Sequence, residues 1–552
     1  MKKSLCLLLA LTILLAGCQT IPPETTAPPE TKINGATQNG DWENVTHIAL
    51  DGSDVYVEEG AGVCTGHDIV YYEAGHDFTY GEGLSADEHD AAAAEAHTVV
   101  HITQPGTYRI SGSFPAGQIA VDLGADAAQD PDAVVTLILD GVDITCKVAP
   151  AIIFYHVYEC GSTDTETAGP VVDTSGAGAN VIIADGSVNT VNGSYVAKIY
   201  KPDSVVLNED GTKVEEAKKL HKYDAAFYSR MSMNVSGGEL GDGVLTINAE
   251  NEGLDSELHL TINGGNITIN SGNDGINTNE DGVSVTTVNG GSLTIHVNGS
   301  TGEGDGIDSN GWLVINGGRV ISAACGFSGD AGLDSDMGIY INGGTVMASG
   351  NMLDRIAGGD GTYAVFQFDG TLPGGTALTL KNEAGETVLE CAPANDFSCL
   401  ILSGEDLIPG TYSFWMGGTQ LEGVSGGTMG GPGFFGGGDG NLGTPGNLPG
   451  RFEGEPPEGD YQIPPQPTGE YVTQGEPAGQ IRPQTDGEAP PAMPEGATMP
   501  SMPKGQTPPE GMDQLPQGDR FGGAFRPSGE ASVDFVISAG GNQFVMVGPA
   551  GE

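Results

Sequence analysis

The sequence predicts an all-β protein: a right-handed parallel β-helix (solenoid) with a C-terminal antiparallel β cap and a disordered Gly/Pro-rich insertion. Three observations predict it. A strand-turn-strand unit recurs at nearly constant spacing in the centre of the chain, its flanks alternate apolar and polar residues, and helical periodicity is absent there.

The repeat is an aliphatic residue, a polar residue and a Gly-Gly pair. It occurs as Val235-Ser236-Gly237-Gly238, Ile262-Asn263-Gly264-Gly265, Val288-Asn289-Gly290-Gly291, Ile315-Asn316-Gly317-Gly318 and Ile341-Asn342-Gly343-Gly344. The aliphatic positions are separated by 27, 26, 27 and 26 residues. Runs such as Leu258-His259-Leu260-Thr261-Ile262 have period two and read as strands with one face inward. Glycine supplies the positive φ of a sharp corner. Each repeat is therefore expected to be one coil, and stacking the coils lines up Val235, Ile262, Val288, Ile315 and Ile341 as an internal ladder. Less regular alternation at Val134 to Leu139, Val181 to Ala184 and Thr107 to Val121 reads as earlier coils carrying insertions. The stretch Ala74 to His101 interrupts the strands, and its alanine run suggests a short helix.

A second motif sits one corner before each strand pair: Glu252-Gly253-Leu254-Asp255, Asp274-Gly275-Ile276-Asn277, Asp305-Gly306-Ile307-Asp308 and Asp330-Ala331-Gly332-Leu333-Asp334, with Asp336 two residues on. The aliphatic residue points inward, leaving the flanking acids on the rim. Strands in adjacent coils lie about 4.8 Å apart, so like charges in register destabilise the stack unless a hard cation bridges them. Oxygen-only clusters suit calcium. The competing reading is that Asp-Gly and Asn-Gly merely make turns.

The organisation expected is a signal peptide over 1–17, a lipidated Cys18 with a Pro/Thr-rich tether over 18–43, the β-helix over 44–352, the first part of the cap over 353–424, a low-complexity Gly/Pro/acidic loop over 425–531 and final cap strands over 532–552. Lys2 and Lys3 precede an apolar run, Leu5 to Leu15, too short to be a stop-transfer helix. Leu15-Ala16-Gly17-Cys18 resembles the lipobox of bacterial lipoproteins, which implies export and a lipid anchor at the extracellular face of the membrane. With 74 acidic against 20 basic residues, nucleic acid and anionic lipid head groups are poor direct partners, so membrane contact is expected through the lipid alone. The six cysteines beyond Cys18 have no zinc-site spacing; Cys146 with Cys160, and Cys391 with Cys399, could pair, or all could be buried thiols.

Exposed aromatics are the other binding signal, because sugar rings stack their C–H faces on Trp and Tyr. The register points Trp312 and Tyr340 outward and sets Phe227 and Tyr228 at the corner equivalent to Leu333 and Asp334, so Trp312, Tyr340 and Tyr228 are the carbohydrate-contact candidates. No catalytic residue is nominated. A β-eliminating lyase needs a base beside calcium, and Arg230, Arg319 and Arg355 are the only basic residues in the regular coils and their edge. The histidines His67, His76, His89, His97 and His101 offer a weaker transition-metal alternative.

The segment Thr103-Gln104-Pro105-Gly106-Thr107-Tyr108-Arg109-Ile110-Ser111-Gly112, then Leu137-Ile138-Leu139-Asp140-Gly141-Val142-Asp143-Ile144, and the Asp-Gly-Ile-Asp and Ile-Asn-Gly-Gly coils resemble a bacterial carbohydrate-binding-domain family of surface β-helix proteins. Its described member, a clostridial protein, binds polygalacturonic acid. The resemblance implies a pectate-lyase-like superfold, calcium in the loops, attachment to acidic plant polysaccharide and no established lyase activity. Phe227-Tyr228-Ser229-Arg230 departs from the acidic corner of relatives, and Ala74 to His101 and Tyr155 to Asn180 look like insertions. The expected function is surface-anchored, calcium-dependent, non-catalytic binding of a pectin-like polysaccharide. The alternatives are a calcium-dependent pectate lyase and a structural adhesin of the envelope.

Overall fold

The computed structural model describes residues 44–57, 60–425 and 530–549. The signal peptide, Cys18, the tether and nearly all of the 425–531 loop lie outside the described residues. The regular structure of the described residues is almost entirely strand, in a 25-stranded sheet, an 8-stranded sheet and a two-stranded one.

The first four central repeats contribute three strands each and the fifth contributes two, and each strand pairs in parallel with its counterpart in the next repeat. Met233–Gly237, His259–Ile262, Val285–Val288, Trp312–Ile315 and Gly338–Ile341 form the first ladder. Its register sets Val235 against Ile262, Ile262 against Val288, Val288 against Ile315 and Ile315 against Ile341, as the spacing predicts. All five are buried. Val244–Ala249, Asn266–Ser271, Ser292–Val297, Arg319–Ala323 and Thr345–Gly350 form the second ladder. Ala225–Ser229, Glu252–Ser256, Ile276–Thr278 and Ile307–Ser309 form the third, in the smaller sheet. Upstream, Gly106–Phe114, Val135–Thr145 and Ala179–Ile183 extend the parallel pairing, which bears out the less regular early repeats. The short helix is Ala91–Glu95, capped by the Asp90 carboxylate, which accepts from Ala93 N–H at 2.7 Å.

The two glycine motifs have different physical causes. The second glycine is left-handed in four of the five Gly-Gly pairs, with φ of 96° at Gly265, 81° at Gly291, 79° at Gly318 and 80° at Gly344. The glycine of the acidic motif does not need that freedom. A Cβ on Gly275 would stand 2.6 Å from the Gly306 carbonyl oxygen, and one on Gly306 would stand 2.4 Å from that of Gly332 and 1.8 Å from Ser322 Oγ. Close approach of successive repeats, rather than a turn, excludes a side chain there.

Side-chain amides stitch the corners. Asn289 donates to Asn263 at 2.9 Å, Asn316 to Asn289 at 2.9 Å and Asn342 to Asn316 at 2.7 Å. After Leu353 the pairing turns mostly antiparallel, as Tyr363–Leu372, Leu378–Asn382, Phe397–Ser403 and Gly410–Met416 assemble with Asp534–Ile537 and Gly541–Pro549 around a second core that includes Phe366, Phe414, Phe535 and Phe544. The six cysteines are free thiols. Burial pushes Cys146, Cys160, Cys391 and Cys399 up to about 12, so none offers a ready thiolate.

Candidate functional site

The third ladder carries the acids. Its register aligns Tyr228 with Asp255, Asp255 with Asn277 and Asn277 with Asp308, while a bridge between Ile307 and Leu333 brings Asp334 next in line. Leu254, Ile276, Ile307 and Leu333 are buried in the core, as the motif requires. Two residues before them, Glu252, Asp274 and Asp305 make a parallel row. Successive repeats bind one another through it: the Asp305 amide donates to Asp274 Oδ1 at 2.6 Å, and the Ala331 amide to Asp305 Oδ1 at 2.6 Å. Asp330 accepts from the Gly304 amide at 2.8 Å.

The acids at the start of the row are not on the rim. Asp255 is 0% exposed and Glu252 8%. Asn277 donates to Glu252 Oε1 at 3.3 Å and Asn279 to Asp255 Oδ1 at 2.7 Å, but Glu252 Oε2, Asp255 Oδ2 and Asn277 Oδ1 are buried with no hydrogen-bond partner. Burial, then the neighbouring acids, push Glu252, Asp255, Asp274, Asp305, Asp308 and Asp334 upward. Glu252 is raised to about 8, with Asp224 adding to burial. Asp305 is raised to about 9, Asp308 to about 6 and Asp334 to about 7. Asp255 and Asp274 are raised well above the carboxylate range, in both cases by burial and next by Glu252. Asp336 is raised by burial and by Asp281.

Unpaired buried oxygens among mutually repelling acids are what a hard cation resolves. The donor set fits calcium in kind: carboxylates and an amide oxygen, without sulfur or imidazole. Among the described residues no three Asp, Glu, His or Cys side chains converge into a preformed cluster. An ion held here would therefore take its carboxylates in twos, from Glu252 and Asp255 or from Asp308 and Asp334, with Asn277 and water completing its shell.

Two members of this group were missed in the sequence. Asp354 accepts from the Ser335 amide at 3.0 Å and raises Asp334 and Asp308 electrostatically, and Asp224 does the same to Glu252 and Asp255. Neither belongs to the repeated motif, so only the fold places them. Lys198, Lys219 and Lys222, from the irregular segment before the third ladder, act electrostatically on Asp224.

The aromatic candidates require correction. Trp312 is 8% exposed and packs with Val285 and Val314 beneath Ala168 and Val172 of the 155–180 insertion. Thr174 Oγ1 fastens that insertion to Asn234 at 2.9 Å and Thr261 at 2.7 Å. Tyr228 is 1% exposed, set edge-on to Tyr223, and its hydroxyl donates to Glu257 at 2.5 Å. Both rings face away from the internal ladder, but inserted chain covers them. Tyr340 is half-buried at the edge of the Trp312 cluster.

Arg230 Nη1 donates to His156 Nε2 at 3.0 Å, and His156 Nδ1 donates in turn to Asp122 at 2.8 Å, so the guanidinium is held in a structural relay. The histidines do not converge. His67 bonds the His97 carbonyl, His76 bonds Glu73, His97 bonds the Ala93 carbonyl and His101 bonds Asp68.

Residues 96–361 match the family model described as carbohydrate-binding domain-containing protein. This bears out the resemblance carried by the repeats. A relative from Acetivibrio thermocellus with the same description is 29% identical over 187 residues, covering 34% of this chain and 46% of that protein, so less than half of that relative is matched. A solved structure titled as a polysaccharide lyase-like protein from C. thermocellum aligns with 23% identity and a TM-score of 0.31, over 55% of this chain and 93% of that one.

Proposed function

We propose that this protein binds acidic polysaccharide of the polygalacturonate class without cleaving it, through calcium held along the acid row, from an exported and lipid-anchored position. In this reading the three parallel ladders wind as a right-handed solenoid, and the third ladder carries the binding edge. The family match at residues 96–361 supports a carbohydrate ligand.

The observation that carries the calcium reading is the set of buried, unpartnered oxygens on Glu252, Asp255 and Asn277. A protein of net charge −54 repels a polyuronate at every approach. Divalent ions held by Glu252 with Asp255, or by Asp308 with Asp334, would reverse that sign locally, with the more open Asp308 and Asp334 end leaving coordination positions for sugar carboxylates. The deciding test is retention on immobilised polygalacturonate in calcium and in chelator, with a neutral glucan as control. Retention that needs calcium and is absent on the glucan is expected. Unchanged retention in chelator would remove the ion bridge, and no retention on any polyuronate would remove the ligand class.

A further inference from the structure

Phe327 is the most exposed aromatic side chain among the described residues, at 71%. A solvent-facing ring on a loosely held loop is ordinary. This loop is tightly held. It joins the second-ladder strand Arg319–Ala323 to the acid motif that begins at Asp330, and hydrogen bonds fasten it on both sides of the ring. The Asn395 side-chain amide donates to the Ala324 carbonyl at 2.7 Å, and the Cys325 N–H donates to the Gly304 carbonyl at 2.9 Å. The Asn351 side chain donates to the carbonyls of Gly326 at 3.0 Å and Ser328 at 3.1 Å, and the Ser328 hydroxyl donates to Asp330.

The ring itself is seated. A methyl on Gly299, in the equivalent loop of the preceding repeat, would stand 2.8 Å from Phe327 Cζ and 3.0 Å from Cε1. One end of the ring therefore rests on bare backbone while the rest faces water. These two loops are also where the repeat widens. Two residues separate Ser271 from Asp274, whereas seven, 298–304, separate Val297 from Asp305 and six, 324–329, separate Ala323 from Asp330. The Gly304 amide, which donates to Asp330 Oδ2 at 2.8 Å, ties the two longer loops together at the head of the acid motif. Phe327 lies seven residues from Asp334, a span of at most about 25 Å. An oligosaccharide of several units reaches both.

We propose that Phe327 is an aromatic subsite of the glycan edge, stacking on the C–H face of one sugar ring of the same acidic glycan whose carboxylates meet the ions at Asp308 and Asp334. The face of the phenyl ring is electron-rich and attracts the C–H dipoles of a sugar. Because the ring is uncharged, it is a contact that a protein with 74 acidic residues offers a polyuronate without an intervening cation. The subsite rests on the acidic-glycan reading above and adds to it the residue that positions a sugar ring.

The test is calorimetric titration of the full chain with hexagalacturonate in calcium. Phe327→Ala should weaken binding about tenfold and Phe327→Tyr should stay within about twofold of the wild type. All three proteins should share one urea midpoint and one affinity for calcium measured without glycan. Equal hexagalacturonate affinity of Phe327→Ala and the wild type overturns the subsite and leaves the proposed function standing. So does a Phe327→Ala loss matched by weaker calcium binding or lower stability, because the ring would then act through its loop. A wild type that binds no hexagalacturonate in calcium overturns both.

Discussion

Replacing Asp308 by Asn separates the cost of the acid row from its use. Asp308 stands between Asn277 and Asp334, and burial, followed by Asp336, raises its pKa from 3.8 to about 6. The folded state thus holds this proton more tightly than the unfolded chain. Asp308 therefore favours folding below about pH 4, loses that contribution as pH rises from 4 to 6, and stands fully ionised and unfavourable above that window. A shift of about two pH units corresponds to ~3 kcal/mol. In chelator at pH 8, Asp308→Asn should be ~3 kcal/mol more stable than the wild type, an advantage that vanishes below pH 4. In millimolar calcium the order should reverse, because the wild type gains ligand-binding free energy that the variant lacks. Urea unfolding followed by circular dichroism at pH 4, 6 and 8, with and without calcium, reads both signs. A variant less stable than wild type in chelator at pH 8 would refute the reasoning, since the carboxylate would then be held by protein donors. A difference indifferent to calcium would remove the ion from this position.

Two further substitutions probe the packing. Ile315 is fully buried between Val288 and Ile341, so Ile315→Ala should cost about 2–5 kcal/mol in urea unfolding; a cost under 1 kcal/mol would mean the internal ladder is loosely packed. Trp312→Ala should lower stability by about 3–5 kcal/mol while leaving glycan retention per folded molecule unchanged, because the ring lies beneath Ala168 and Val172. Lost retention at unaltered stability would instead place Trp312 against sugar.

The ladders were legible because one physical rule repeats in them. Period-two alternation recurs with each repeat and a left-handed glycine with the last four Gly-Gly corners, and the register from Val235 to Ile341 follows from spacing alone. The acids were legible for the same reason. Their burial was not, because what buries them does not repeat. Residues 194–224 and the 155–180 insertion have no periodicity, yet they cover Tyr228 and Trp312 and bring lysines to Asp224. Alternation reports which side of a strand a residue occupies, and it carries no information about distant chain lying over that side. Asp354 escaped notice similarly, since it sits where the repeat has already broken.

The amide chain Asn263–Asn289–Asn316–Asn342 and the ladders beside it have translational symmetry, which has a cost of its own. A stack that adds one more copy of itself at each step resembles a fibril with an open growing face. Three edges of this stack break the symmetry. Asp54–Val57 folds back antiparallel on Val45–Asp51, Val63–Gly66 runs antiparallel to Thr98–Ile102, and Phe397–Ser403 crosses antiparallel on Thr345–Gly350. A second molecule arriving in the parallel register finds the wrong strand direction at these edges. Reversed edges let an acidic stack remain a discrete particle at the crowded cell surface proposed for it, instead of templating its own extension.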